Sequence, residues 1–278
     1  MPTVGDPRPI GVFDSGVGGL TVLAELRRRL PDEATVYLGD NARTPYGPRP
    51  ADEVRRFTLE CVRWLLTQDV KLLLLACNTA TSQALPKVRK IASVPVLGVV
   101  RPGAVAAAAS TRSGHVGVIA TAGTVGSGAY PVAIGEADSR LTVSQQACPD
   151  LVPLVEAGHL DGPTTEAAVQ GYLGELLRKD GEIDTLLLGC THYPLLRPVI
   201  ERAVGPGLAV VDSAFTTALA AEDLLDALGA RALGAGRGPE SATNRIATTG
   251  DVAAFTAVAE RLFGDTLPSV EAATTASD

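Results

Sequence analysis

A chain of 278 residues, 46% apolar and 20% charged, can bury one large core or two smaller ones, and this composition excludes a disordered polymer. A formal net charge of −7 argues against direct, general nucleic-acid binding, which needs a basic face to release counterions from phosphates. The opening MPTVGDPRPIGVF lacks a charged head followed by an apolar stretch, and runs such as LLLLAC are too short to span a bilayer, so no secretory signal or membrane association is expected.

In chain order, the first predicted strand is Ile10–Phe13, followed by the turn DSGVGG and a helix Leu20–Leu30 that Pro31 closes. Strand Thr35–Leu38 leads through the turn TPYG at Thr44–Gly47 to a helix Asp52–Thr67. Strand Lys71–Ala76, helix Ser82–Ile91, strand Val96–Val100 and helix Pro102–Ser110 follow. Then come strands Val116–Ala120 and Leu141–Gln145, helix Thr164–Lys179, strand Thr185–Gly189 and helix Pro194–Ala203. Strand Leu208–Val211, helix Thr216–Leu228, strand Arg245–Thr248 and helix Val252–Phe263 complete the series. The strands are apolar throughout rather than alternating, as expected when both sheet faces are covered, so the fold class is α/β with mainly parallel sheets.

Two segments match: KLLLLACNTATS from Lys71 and DTLLLGCTHYPL from Asp184, each an apolar strand, a small residue, a cysteine and short polar residues. GVFDSGVG from Gly11 similarly resembles GVIATAGT from Gly117. The repeat implies two related α/β halves with a cleft between them. Residues 1–99 plus 210–268 are expected to form the first and 100–209 the second, because VVDSA at Val210 repeats the strand-then-DS pattern of the first half. The small, polar tail 269–278 is expected to fray.

Four cysteines without a CxxC pair, beside three scattered histidines, speak against structural zinc and for free thiols in a reducing, cytoplasmic setting. Alone, Cys77 reads equally as a core residue or a reactive one. Its strand-end position, shared by Cys190, is where open α/β sheets bind ligands, and the following helix N-terminus is expected to lower the thiol pKa. If the halves face each other, both thiols approach one ligand from opposite sides. Cys61 and Cys148 lack such equivalents and are assigned to packing. DSGVGG fails the phosphate-loop patterns and reads as a turn presenting Asp14 and Ser15, with capping of the next helix an equal role for Ser15. Asp14 could orient a thiol proton, and His192 stands two residues from Cys190 as a proton partner. Asn78, Thr79 and Thr191 supply short donors suited to a small carboxylate substrate.

At these residues the chain resembles the glutamate racemases, cofactor-independent isomerases. The matching motifs are FDSGVGGL at Phe13–Leu20, PYG at Pro45–Gly47, ACNTAT at Ala76–Thr81 and GCTHYP at Gly189–Pro194, with ATAGTV at Ala120–Val125 and VEAG at Val155–Gly158. Histidine in THYP favours this family over the related aspartate racemases, with a racemase of another amino acid, of the aspartate or hydantoin type, the alternative that a substrate panel separates. The resemblance implies two pseudosymmetric domains with the active site between them and no metal or organic cofactor. It implies catalytic Cys77 and Cys190, assisted by Asp14 on one side and by His192 with Glu156 on the other. Asp14, Ser15, Tyr46, Gly47, Asn78, Thr79, Thr121, Thr191 and His192 would bind glutamate. It further implies a role in supplying D-glutamate for peptidoglycan, a homodimer and, as a second role of some members, an interaction with DNA gyrase. With the first strand so near the start of the chain, activation by a nucleotide-linked precursor is not expected.

Overall fold

The structure is a computed structural model that describes residues 5–232, 244–264 and 267–275. All strand pairings in it are parallel. The first sheet runs β10 (Val270–Ala272), β9 (Asn244–Thr248), β2 (Thr35–Gly39), β1 (Ile10–Asp14), β3 (Leu72–Leu75), β4 (Val96–Gly98). The second runs β6 (Thr142–Ala147), β5 (His115–Ala120), β7 (Thr185–Gly189), β8 (Ala209–Asp212). The order β2-β1-β3-β4 therefore recurs as β6-β5-β7-β8, and the two cysteine strands occupy the same place in each unit.

Uniformly apolar strands are explained by the cores on either side of each sheet. Leu72 and Leu74 face one core of the first half, and Leu73 and Leu75 the other, as period-two geometry requires. In the second sheet Val116 and Val118 meet one core, while Ile119, Leu186 and Leu188 meet the other. Each such leucine contributes about 1.5–3 kcal/mol by leaving water.

The helices read as expected where one apolar stripe decides them. Helix α1 spans Leu20–Arg29, and its three closing arginines complement the helix dipole. Helix α2 (Ala51–Leu66) buries Val54, Phe57, Thr58, Cys61, Val62 and Leu65, at spacings of three and four. Helices α3 (Asn78–Ile91) and α4 (Val100–Ser110) begin earlier than expected.

Three short helices have no counterpart in the sequence reading: α5 (Ala122–Ser127), α6 (Ala129–Ala137) and α7 (Leu151–Glu156). They contain glycine or proline, which masks helical periodicity. Gly128, at φ 67°, makes the left-handed turn between α5 and α6. Helix α8 covers Pro163–Lys179. The expected helix Pro194–Ala203 is a 3₁₀ turn, Tyr193–Leu196, followed by α9 (Arg197–Val204).

Two expectations about the C-terminal part differ from the structure. The segment placed in the first half from residue 210 begins inside β8, which pairs with β7; the chain returns only along α10 (Ser213–Ala227), which packs on α1 and α4. The tail expected to fray contributes β10, whose pairing with β9 satisfies its backbone, although residues 276–278 lie outside the described ones. Helix α11 (Val252–Phe263) precedes it. No helix among the described residues is long and apolar enough to cross a membrane.

Away from the cleft, just before β3, the buried Lys71 ammonium lies 2.5 Å from the buried Glu33 carboxylate. It also donates to the carbonyls of Asp6 at 2.7 Å and Ala230 at 2.8 Å, while Ala232 N–H donates to Glu33 at 2.8 Å. Removing one partner strands a buried charge. Lys71→Met is expected to cost about 3–5 kcal/mol in urea unfolding, and the double variant Lys71→Met/Glu33→Leu less. A loss below about 1 kcal/mol in the single variant would show that this ion pair does not hold the segments together.

Candidate active site

The C-terminal ends of β1, β3, β5 and β7 converge on one cavity of about 170 Å³ between the two halves. Of the residues expected there, Ser15, Tyr46, Gly47, Cys77, Asn78 and Thr79 line it from the first half, and Thr121, Cys190, Thr191 and His192 from the second. Asp14 lies behind this lining, fully buried at the end of β1, and Glu156 reaches the site through His192. Cys61 and Cys148 are buried in separate cores, outside the lining, as expected of packing residues.

Cys77 is the N-cap of α3, its sulfur accepting from Ala80 N–H at 3.4 Å, which explains the early start of that helix. The Ser15 hydroxyl lies 3.4 Å from the same sulfur. Ser15 is therefore a neighbour of the thiol; the N-cap of α1 is Gly19, with no side-chain capping bond. The expectation of a lowered thiol pKa is reversed at Cys77. Burial, reinforced by the Asp14 carboxylate, pushes the thiol up to about 12 against the bonds from Ser15 and Ala80. Burial likewise raises Asp14, whose Oδ2 accepts from Gly16 N–H at 3.0 Å.

Cys190 follows β7 directly. His192 places Nδ1 3.8 Å from the Cys190 sulfur and Nε2 3.1 Å from Glu156 Oε1, at the end of α7. Burial alone would lower the imidazole pKa; the sulfur and the carboxylate on either side overcome it and raise it to about 10. The two thiols thus sit in unlike surroundings, a neutral thiol beside a carboxylate and a sulfur beside an imidazolium.

The glycines of DSGVGG serve close packing. A Cβ at Gly18 would lie 2.5 Å from His192 Cε1 and Nδ1 and from Thr191 Oγ1, and one at Gly19 would lie 2.5 Å from Asp14 Cβ. Thr21 Oγ1 bridges the carbonyls of Gly18, at 2.9 Å, and Thr191, at 3.0 Å, fixing the halves across this seam. On the other side of the cavity Thr79 and Thr121 hydroxyls meet at 2.9 Å, and Gly123 N–H donates to Gly47 O at 2.8 Å.

Tyr46 differs from expectation in detail: the residue lines the cavity, but its hydroxyl donates to Asp40, which is not part of the lining. Sequence reasoning missed Thr124, which meets Thr79 at 3.3 Å, and Tyr130, whose hydroxyl accepts from Asn78 Nδ2 at 2.7 Å. Tyr130 lies on the unforeseen α6, where no local signal marks it, whereas Thr124 lies on α5 within the ATAGTV motif, from which Thr121 alone is read as a site residue. Asp14 Oδ1 and Asn78 Oδ1 are buried acceptors without a hydrogen-bond partner among the described residues. Such a site can receive a ligand carrying donors and place a thiol on either side of it.

A family model described as Asp/Glu/Hydantoin racemase matches residues 14–221. The glutamate racemase of Oceanobacillus iheyensis is 46% identical over 256 residues, 92% of each chain. A glutamate racemase isoform from Bacillus anthracis superposes with a TM-score of 0.89 at 41% identity, covering 96% of this chain and 97% of that one. The Francisella tularensis glutamate racemase in complex with D-glutamate superposes at 0.88 with 31% identity, covering 97% and 98%.

The imidazole of His192 is expected to titrate near pH 10 by NMR, not near its ordinary 6.5. Because its folded pKa is raised, the stability it lends relative to His192→Gln should be full below about pH 6.5 and disappear as the pH climbs to about 10. Titration near 6.5 would remove the sulfur–imidazole–carboxylate chain from the account. Gly18→Ala should displace the same ring and cost roughly 1–3 kcal/mol.

Proposed function

From the premise that the chain belongs to the Asp/Glu/Hydantoin racemase family, and so is an amino-acid racemase, we propose that it interconverts L- and D-glutamate by proton transfer between two thiols. The observation that carries the reading is the pair Cys77 and Cys190, at equivalent strand ends of two repeated units, lining one cavity from opposite halves.

Inverting a stereocentre through its α-carbon requires a base on one face and an acid on the other. In the L-to-D direction Cys190 takes the α-proton and Cys77 delivers its own to the opposite face; the reverse exchanges the roles. The protonation pattern supports L-glutamate entering the resting form, since Cys77 holds its proton and His192 is an imidazolium beside Cys190. Asp14 stands next to Cys77 to receive or return a proton, and Glu156 orients His192. Asn78, whose Oδ1 is an orphan acceptor on the cavity lining, suits an ammonium group, with the Asp14 carboxyl buried behind that lining. Backbone N–H groups in the first turn of α3, lacking helical partners, suit a carboxylate whose charge grows as the α-proton leaves. The D-glutamate formed would serve peptidoglycan synthesis, as the family resemblance implies.

Enantiomers have equal free energies, so kcat/KM must be equal in the two directions, and any variant lowers both by the same factor. The test follows L-glutamate by circular dichroism in D₂O without cofactor, reading α-deuterium by NMR. The signal should decay to zero as deuterium enters. Absence of both changes from folded protein would overturn the reading, and the same assay with aspartate addresses substrate choice.

Cys77→Ser and Cys190→Ser are each expected to lower racemisation roughly 10³-fold or more in both directions. Near-wild-type turnover in either would remove the two-thiol assignment. Exhaustive chelation is expected to leave turnover unchanged; loss that added metal restores would contradict a mechanism carried by thiols.

A further inference from the structure

Behind the Thr44–Pro48 turn that lines the cavity lies a buried charged cluster with no part in proton transfer. Its hub is Asp40, fully buried just beyond β2, whose backbone N–H donates to Asp14 O at 3.0 Å. The Tyr46 hydroxyl donates to Asp40 Oδ2, Arg43 Nε to the same oxygen at 2.7 Å, and Thr249 Oγ1 to Oδ1 at 2.5 Å. Arg43 also pairs with the buried Glu60, donates to the Cys61 sulfur at 3.3 Å, and stacks 4.4 Å over the Phe57 ring. Arg49 Nε donates to Arg43 O at 2.8 Å, closing the turn from its far side. The Tyr46 ring is held between Phe13 and Phe57, with centroids 6.3 and 6.0 Å away.

Both Asp40 oxygens thus have donors, and the guanidinium has carboxylates on two sides. That satisfaction lets a charged cluster persist in a core, and it also makes the cluster stiff. The polar chain reaches the cavity through the backbone that follows Tyr46, where the Gly47 carbonyl receives Gly123 N–H from the other half. We propose that Asp40, with Arg43 and Glu60, is a positioning device for this turn: it sets how tightly substrate is held and leaves the thiols untouched. This rests on the racemase reading for its kinetic consequence, but not for the geometry.

The test compares Asp40→Asn and Tyr46→Phe with the unaltered chain. Each is expected to raise KM for both glutamate enantiomers about tenfold, while kcat falls less than about twofold, the loss of one charge-assisted hydrogen bond behind the turn. In substrate-free protein, iodoacetamide labelling of Cys77 and Cys190 should quicken about tenfold as the turn loosens. Unchanged KM in a folded, active variant overturns the proposal, as does an equal fall in kcat with KM constant. If Asp40→Asn fails to fold, Tyr46→Phe, which removes one oxygen, decides. If the unaltered chain does not racemise glutamate, the functional reading fails separately and labelling decides the positioning role: faster labelling sustains it and unchanged labelling overturns it.

Discussion

A parallel sheet covered on both faces can present polar chemistry only at its strand ends, and the C-terminal ends carry the advantage that each leads into a helix N-terminus. Cys77 and Cys190 occupy such ends in two repeated units. The remainder of the architecture keeps those ends opposed. Helix α10 carries the chain from the second sheet back to the first, and Thr21, Thr79 and Gly47 tie the edges together across the cleft.

Burial is the second determinant. The same desolvation acts on Cys77, Asp14 and His192, yet its outcome differs with the neighbour. Beside Asp14 the thiol keeps its proton; between a sulfur and Glu156 the imidazole keeps its own. A nominally symmetric pair is thus electrostatically asymmetric, although equal enantiomer energies forbid a preference in kcat/KM. The asymmetry acts on which form of the resting site meets which enantiomer.

Much of this was legible from local pattern. Apolar runs identified the strands, the repeat identified the two halves, and the strand-end cysteines identified the cleft, because each depends on neighbours in sequence. Features decided by distant partners were not legible. Tyr130 and Thr124 sit on helices that glycine and proline disguise, and Asp40 gains its meaning only from Tyr46, Arg43 and Thr249 arriving together. The Cys77 thiol pKa departs from expectation for the same reason. The helix terminus beside Cys77 is visible in sequence, whereas the burial that outweighs it is not. The short β10 carries no local signal, because only its pairing with β9 holds it.

The central claim, one thiol on each face of the substrate carbon, is tested most directly by a substrate that needs only one of them. With chloride on Cβ, loss of the α-proton expels the halide, and the resulting enamine hydrolyses to the 2-oxo acid and ammonium, so no second proton transfer to Cα by the enzyme is required. The measurement is 2-oxoglutarate release from the separate D and L forms of β-chloroglutamate. Cys77→Ser should lose elimination from the D form and retain it from the L form, with Cys190→Ser the reverse. Loss of both eliminations in either folded variant, or retention of both, would contradict thiols acting on opposite faces.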